Sequence, residues 1–203
     1  MNAVRLPGLQ VLILAAGFSS RLGEPKALAR VHGVSLLRRT LKLAALVQPA
    51  RIIAVVPRNA QRWHIEASGL NVCWAGNVSR ARGLSSSVRR GIAAARNSKA
   101  VLVLPVDLVN LRARELDRLI SRWRASPRRL VARRIGLHGG TPLILPRWLY
   151  SKALEAKGDI GLRDMLRQLP RDCVQLVDLP SAALDVDTRH DLKIARRRLR
   201  GGG

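Results

Sequence analysis

Apolar residues in this chain fall into short dense runs, and between them the spacing changes to that of helices. Leu9 to Ile13, Arg51 to Val56, Asn71 to Trp74, Ala100 to Pro105, Arg128 to Arg134, Leu143 to Leu145 and Cys173 to Val177 read as strands. Ala100 to Pro105 is the most hydrophobic of them. Leu37, Leu41, Ala44 and Ala45 recur at helical spacing within Val34 to Val47, and Leu116, Leu119, Ile120 and Trp123 do so within Leu111 to Ser126. Asn59 reads as the cap of a helix over Ala60 to Ala67, Val88, Ile92 and Ala95 begin another, and Thr188 caps a last one over Arg189 to Arg200. Gly76-Asn77 reads as a strand break, and His138 to Pro142 as a sharp loop into the Leu143 strand. Strands alternating with helices predict an α/β chain: a single Rossmann-like, doubly wound domain with a mostly parallel sheet. The expected core spans about residues 10–192, and the basic, glycine-ended tail 196–203 is expected to fray.

Composition narrows this picture. A chain of 203 residues can bury one substantial core but is short for two, and 47% hydrophobic content suits a folded protein. No apolar run approaches the roughly 20 residues of a membrane helix, and residues 1–8 lack a signal-peptide pattern, so a cytoplasmic location is expected. Cys73 and Cys173 stand alone and far apart, without metal spacing, and read as two reduced core thiols. The net charge of +24, mostly arginine, points to a polyanionic partner or substrate, or to the arginine bias of a GC-rich genome. One Phe, one Tyr and four scattered Trp do not interleave with the cations as single-strand binders require, so nucleic-acid binding is not favoured as the main role.

The stretch with the most chemistry is Leu14 to Lys26, L-A-A-G-F-S-S-R-L-G-E-P-K, directly after the first strand. Gly17 and Gly23 let backbone N–H groups approach a ligand, Ser19 and Ser20 add hydroxyls, and Arg21 and Lys26 offset negative charge: the makings of a polyphosphate cradle. It is neither a P-loop, since Glu24-Pro25 precede Lys26, nor a G-x-G-x-x-G fingerprint. Further on, Gly83 precedes Ser85 to Ser87 at a helix start, where serines cap and free N–H groups bind anions. Asp107 is the only acidic residue between Glu66 and Glu115 and lies where the Ala100 strand runs out, a position suited either to holding Mg²⁺ opposite the cradle or to capping the next helix. In Leu184-Asp185-Val186-Asp187-Thr188 an extended backbone would put both aspartates on one face; Asp187 could equally serve as a helix N-terminal charge. Gly158 to Arg163 reads locally as a loop with Asp159 capping a helix start.

The pattern L-A-A-G-x-S-x-R-x-G-x-P-K resembles the opening of the MobA-like nucleotidyltransferases, and within them looks most like the molybdenum cofactor cytidylyltransferases. The likeness runs in order from about Gln10 to Leu192. It implies Mg²⁺-dependent transfer of CMP from CTP to molybdopterin, release of pyrophosphate, and a dinucleotide product for a recipient molybdoenzyme. It implies that Leu14, Ala15, Ala16, Gly17 and Ser19 bind nucleotide. Arg21 and Lys26 would neutralise the triphosphate, and Gly83 and Ser87, in G-x-x-x-S, would hold base and ribose. Asp107 and Asp187 would hold the metal, with Arg21, Lys26 and Asp107 catalytic. Asp159 and Arg163, in G-D-x-G-x-R, would bind the acceptor. A second alanine at Ala16 goes with CTP in the family, and glycine there with GTP. Four positions depart from the family pattern: Val109 and Thr141 replace a proline and a histidine, and Arg189-His190 replace Pro-Glu. The alternatives are a GTP-using or sugar- or alcohol-phosphate nucleotidyltransferase, a non-catalytic cofactor-delivery protein, and a nucleic-acid-binding protein.

Overall fold

The structure, a computed structural model, describes residues 6–17, 19, 21–79, 81, 83–155 and 161–199. In chain order the elements are β1 (Leu6–Leu14), the ribbon β2 (Arg30–Val31) and β3 (Val34–Ser35), α1 (Leu36–Leu46), β4 (Pro49–Pro57), α2 (Gln61–Glu66), β5 (Cys73–Asn77), α3 (Leu84–Ala94), β6 (Ala100–Pro105), α4 (Ala113–Ala125), β7 (Leu130–Ile135), β8 (His138–Pro146), α5 (Tyr150–Leu154), α6 (Gly161–Gln168), β9 (Val174–Val177) and α7 (Arg189–Arg198). The seven-stranded sheet has the order β5-β4-β1-β6-β8-β7-β9. Only β8 runs against its neighbours, β6 and β7. This is the mostly parallel, doubly wound α/β domain that the alternation predicts.

The unbroken apolar run of β1 follows from burial on both faces. Val11 and Ile13 enter one core with Leu37 and Leu41 of α1, Trp63 of α2, Leu116 of α4 and Leu192 of α7. Leu12 and Leu14 enter the other with Val88 and Ile92 of α3, Tyr150 of α5 and Met165 of α6. Gly91 lets α3 lie close to β1: a Cβ there would run into the Leu12 side chain. The chain leaves β1 toward β4 but later returns to its other side as β6. A crevice therefore opens at the carboxyl ends of β1 and β6, where open α/β sheets bind ligands.

Several local expectations need correction. Asn59 does not cap α2: Ala60 stands at the N-cap with no side-chain bond. Gly76-Asn77 does not end β5 but completes it, pairing with Val56 and Pro57. The loop at His138 to Pro142 is part of β8, and the turn lies earlier, at Gly136-Leu137, with Gly136 at φ 58°. Val34 and Ser35 pair in the ribbon, so α1 starts later, with the Ser35 hydroxyl accepting from the Arg38 N–H at 3.1 Å. The two cysteines are free but half-buried rather than core. Arg196 does not fray, its guanidinium donating to the Arg30 carbonyl at 3.0 and 3.1 Å; residues 200–203 lie outside the described residues. Among the described residues, no helix is long and apolar enough to cross a membrane.

Candidate active site

The loop after β1 is tied down at each end. The Ala15 N–H donates to the Val55 carbonyl at 2.9 Å, and the Ala15 carbonyl accepts from the Trp63 indole at 3.0 Å. Ser19 takes a positive φ of 53°; its carbonyl accepts from Leu22 N–H and its hydroxyl from Lys26 N–H, both at 3.0 Å. Gly23, at φ 80°, has the Arg189 guanidinium packed over it, and Arg189 Nε donates to the Leu22 carbonyl at 3.2 Å. The last helix therefore braces the loop from outside, and the loop closes like a collar whose last residue is Lys26.

Lys26 Nζ lies 2.9 Å from Asp107 Oδ2 and 2.5 Å from Asp187 Oδ1. The two aspartates meet because the segment carrying Asp187 is fastened to the end of β6. Leu108 and Asp185 form an antiparallel bridge, and the Val186 N–H donates to the Asp107 carbonyl at 3.1 Å. Burial pulls the Lys26 ammonium toward its neutral form, but the two carboxylates outweigh it and hold its pKa above the usual lysine value. Asp185 is pushed the other way: burial raises its pKa, Asp107 and then Asp187 add to the rise, and Arg133 opposes it. Arg21 reaches Asp187 at 3.8 Å, but its side chain is 71% exposed, so the pair is weak.

A cavity of about 620 Å³ runs from this cluster across the carboxyl edge of the sheet. Its walls include Leu14, Ala15, Ala16, Gly17, Ser19, Arg21, Lys26, Gly83, Ser87, Asp107, Arg163 and Asp187. Of the residues expected to bind nucleotide, metal or acceptor, all line this one cavity except Asp159, which, like Ser20, lies outside the described residues; Gly23, Ser85 and Ser86 stand behind the wall. His138 is exposed and does not line it.

The serine stretch differs from expectation. Gly83, not a serine, is the N-cap of α3, at φ 83° and ψ −176°, a conformation that favours glycine. Ser85, Ser86 and Ser87 are buried in the first turns. Asn77 donates to the Ser86 and Ser87 hydroxyls at 2.9 and 3.0 Å, and its Oδ1 accepts from Ser79 N–H at 2.9 Å. Asn77 thus orients the Ser87 hydroxyl at the cavity wall, a role hidden by its reading as a strand break. Sequence reasoning also missed Arg133 and Ile135, and attached no role to Asp185 or Thr141; all four line the cavity.

The donor set fits a divalent cation. Two carboxylates converge closely enough to share one cation, and the Lys26 ammonium, lying between them, is in effect a monovalent stand-in for it. All-oxygen ligation suits a hard ion such as Mg²⁺, which keeps waters and takes substrate phosphates as further ligands. Among the described residues, no cluster of three or more His, Cys, Asp or Glu side chains forms a complete protein cage.

Comparison with known proteins agrees with this fold. The Rv0371c crystal structure from Mycobacterium tuberculosis H37Rv is 25% identical, with a TM-score of 0.73 over 96% of this chain and 99% of that one. The same protein has also been solved in complex with manganese. The 2-C-methyl-D-erythritol 4-phosphate cytidylyltransferase of Thermus thermophilus, 22% identical, shares the fold at a TM-score of 0.68 over 97% of this chain and 100% of that one. The bifunctional IPC transferase and DIPP synthase of Rubrobacter xylanophilus is 40% identical over 87 residues, which cover 40% of this chain and 20% of that relative. The family model of the MobA-like NTP transferase domain matches residues 11–173. By that match across most of its length, the chain belongs to the MobA-like NTP transferase domain family and is a nucleotidyltransferase.

Proposed function

We propose that the protein transfers CMP from CTP to the terminal phosphate of molybdopterin, with Mg²⁺, giving a cytosine dinucleotide for a recipient molybdoenzyme in the cytoplasm. The observation that carries this reading is the convergence of Asp107 and Asp187 on Lys26 beside the glycine loop. In the reaction a phosphate oxygen of the acceptor forms a bond to the α-phosphorus. The bond from that phosphorus to the bridging oxygen breaks, and pyrophosphate leaves with the electron pair. Asp107 and Asp187 hold the Mg²⁺, which when bound supplies charge neutralisation at the α-phosphate.

The chain's own groups do the rest by position and charge. The backbone from Ala15 to Ser19 cradles the triphosphate, with Leu14 and Ala16 at its base. Lys26 and Arg21 neutralise the leaving pyrophosphate. Gly83 leaves room for the nucleoside, and Ser87, held by Asn77, offers a hydroxyl to it. Arg163 and Asp159 belong to the acceptor side. Ala16 lines the cavity, and the preference for CTP rests on its methyl group narrowing the space a larger guanine would need. One methyl discriminates by ~1–3 kcal/mol, so the preference for CTP is about 10–200-fold.

A second reading, cytidylyl transfer to an alcohol phosphate, is favoured by the likeness to the Thermus cytidylyltransferase and shares every group on the nucleotide side. The test is Mg²⁺-dependent turnover with CTP, GTP, ATP or UTP against molybdopterin and, separately, 2-C-methyl-D-erythritol 4-phosphate, scoring pyrophosphate and the joined product. Turnover with molybdopterin and CTP is expected, and it should collapse in Asp107→Ala. Turnover only with the alcohol phosphate would replace the acceptor, and turnover with GTP would overturn the Ala16 argument.

A further inference from the structure

Arg133 lies on β7 directly after a register shift between Ala132 and Arg133. Such an irregularity re-aims a side chain, and the two neighbouring arginines go different ways. Arg134 pairs with Asp178 at 3.0 Å and is 45% exposed, outside the cavity. Arg133 lines the cavity and is 12% exposed, and across the ladder it faces Gly140, which carries no side chain. Its ion-pair partner is Asp185, at 3.4 Å. A guanidinium has five N–H donors. One long ion pair uses little of that capacity, and the residue lines the cavity.

We propose that Arg133 is the receptor for the phosphate of the acceptor, paired bidentately, with Asp185 fixing the guanidinium when no acceptor is bound. This rests on the reading that a phosphate monoester is the nucleophile. The sheet separates Arg133 from the nucleotide. The cradle follows β1 and Asp107 follows β6, whereas β7 lies beyond β8. Its strand, β7, stands three spacings, about 14 Å, from β1, so Arg133 enters the cavity from the side opposite the β1 loop that cradles the triphosphate. The far end of the cavity also holds Arg163 and Thr141 beside Ile135, Leu162 and Leu166. That end fits a compact acceptor with one apolar face and a terminal dianionic phosphate. The two aspartates lie between the cationic ends, where the two phosphates must meet.

The test is calorimetric titration of inorganic phosphate into protein already saturated with Mg²⁺ and pyrophosphate, which fills the triphosphate half whatever the base. Phosphate should bind the wild type at one site, and Arg133→Ala should weaken it at least 10-fold. Arg133→Lys, which keeps the charge but not the fork, should fall between them. Pyrophosphate affinity should stay within 2-fold in both, and Arg134→Ala should leave phosphate binding unchanged. Should Arg133→Ala fail to fold in a thermal melt, the lysine variant carries the comparison. The proposal is overturned if the wild type binds no phosphate, if Arg134→Ala weakens it as much as Arg133→Ala, or if only pyrophosphate affinity falls. Failure of turnover with molybdopterin, with these phosphate results intact, would count against the identity of the acceptor alone.

Discussion

Replacing Lys26 with methionine should raise metal affinity and lower turnover together. In the ligand-free protein the ammonium balances Asp107 and Asp187, with side chains 22% and 43% exposed against its own 16%. Breaking a fully buried pair costs 3–5 kcal/mol, but exposure at the carboxylates reduces this, so about 1–2 kcal/mol of stability should be lost. For a chain of this size that lowers Tm by about 2–8 °C. On the proposed reading the same ammonium would compete with Mg²⁺ for both carboxylates. Removing it should tighten Mg²⁺ binding by about 5–30-fold, the ratio equivalent to that free energy, and Mg²⁺ should restore most of the lost Tm. Turnover should nonetheless fall by roughly 10²–10³-fold, because the leaving pyrophosphate loses a preorganised cation. Melts with and without Mg²⁺, Mn²⁺ electron paramagnetic resonance for affinity, and pyrophosphate release for rate give the three readouts. If metal affinity falls with turnover, Lys26 is not competing for the metal position and the stand-in argument fails.

Other expectations follow from single contacts. Gly91→Ala should cost about 1–3 kcal/mol, since its methyl group overlaps the Leu12 side chain under α3; chemical denaturation measures it, and a neutral result would mean that α3 can shift. Ala16→Gly should admit GTP, narrowing the CTP-to-GTP ratio of kcat/KM. Tyr150, the only tyrosine, has its pKa raised above 10.0 by burial, against opposing effects from its bond to Ser98 and from Arg147. The stability from burying the neutral phenol is therefore fully present below pH 10 and lost as pH rises through the folded value. Tyrosinate absorbance should appear together with unfolding rather than before it. With a net charge of +24, kcat/KM for the nucleotide should fall roughly 3–10-fold as NaCl rises from about 50 to about 300 mM, with kcat little changed; a flat profile would deny the charge a steering role.

The layers of the fold were legible because burial leaves a period in the sequence. The continuous apolar runs at β1, β4 and β6 could only be covered on both faces; the stripes at α1 and α4 cover one, and the period begun at Val88 and Ile92 in α3 helps cover the other. Strand and helix ends were read less well, because composition there competes with pairing. Asn77 has the chemistry of a turn residue, yet its backbone pairs with Pro57 and its amide is satisfied by two serines nine and ten residues later. Glycines at 139 and 140 look like a loop, but there they keep side chains out of a crowded ladder: a Cβ on Gly140 would strike Ile135. What separated the readings in each case was pairing with a neighbouring strand, which composition at the position itself does not record.

The same distinction explains which parts of the site could be read. The cradle residues lie within 13 positions of one another, so their spacing alone carries the chemistry, and Asp107 stood out as a lone carboxylate at a strand end. Lys26, Asp107 and Asp187 form one cluster although 81 and 161 residues separate the lysine from its two partners. The pairing of β1 with β6 brings the lysine loop to Asp107, and the bridge from Leu108 to Asp185 brings in Asp187. Arg133 had no such signal. In Leu-Val-Ala-Arg-Arg-Ile two arginines stand side by side, and a strand sends one to each face without the sequence saying which. Asp178 takes Arg134 to the surface and Asp185 holds Arg133 at the cavity, and both partners come from the last third of the chain. On the proposed reading the nucleotide side is built mainly of contiguous backbone, which a local motif records. The proposed acceptor side is lined by side chains from β7, β8 and α6, which only the folded sheet assembles. Substrate changes among relatives of this fold should therefore concentrate on that second set, and exchanging Arg133, Thr141 and Arg163 together should alter acceptor preference while leaving the nucleotide's KM within about 2-fold. A matching loss of nucleotide affinity would show that the two halves of the cavity are not separable.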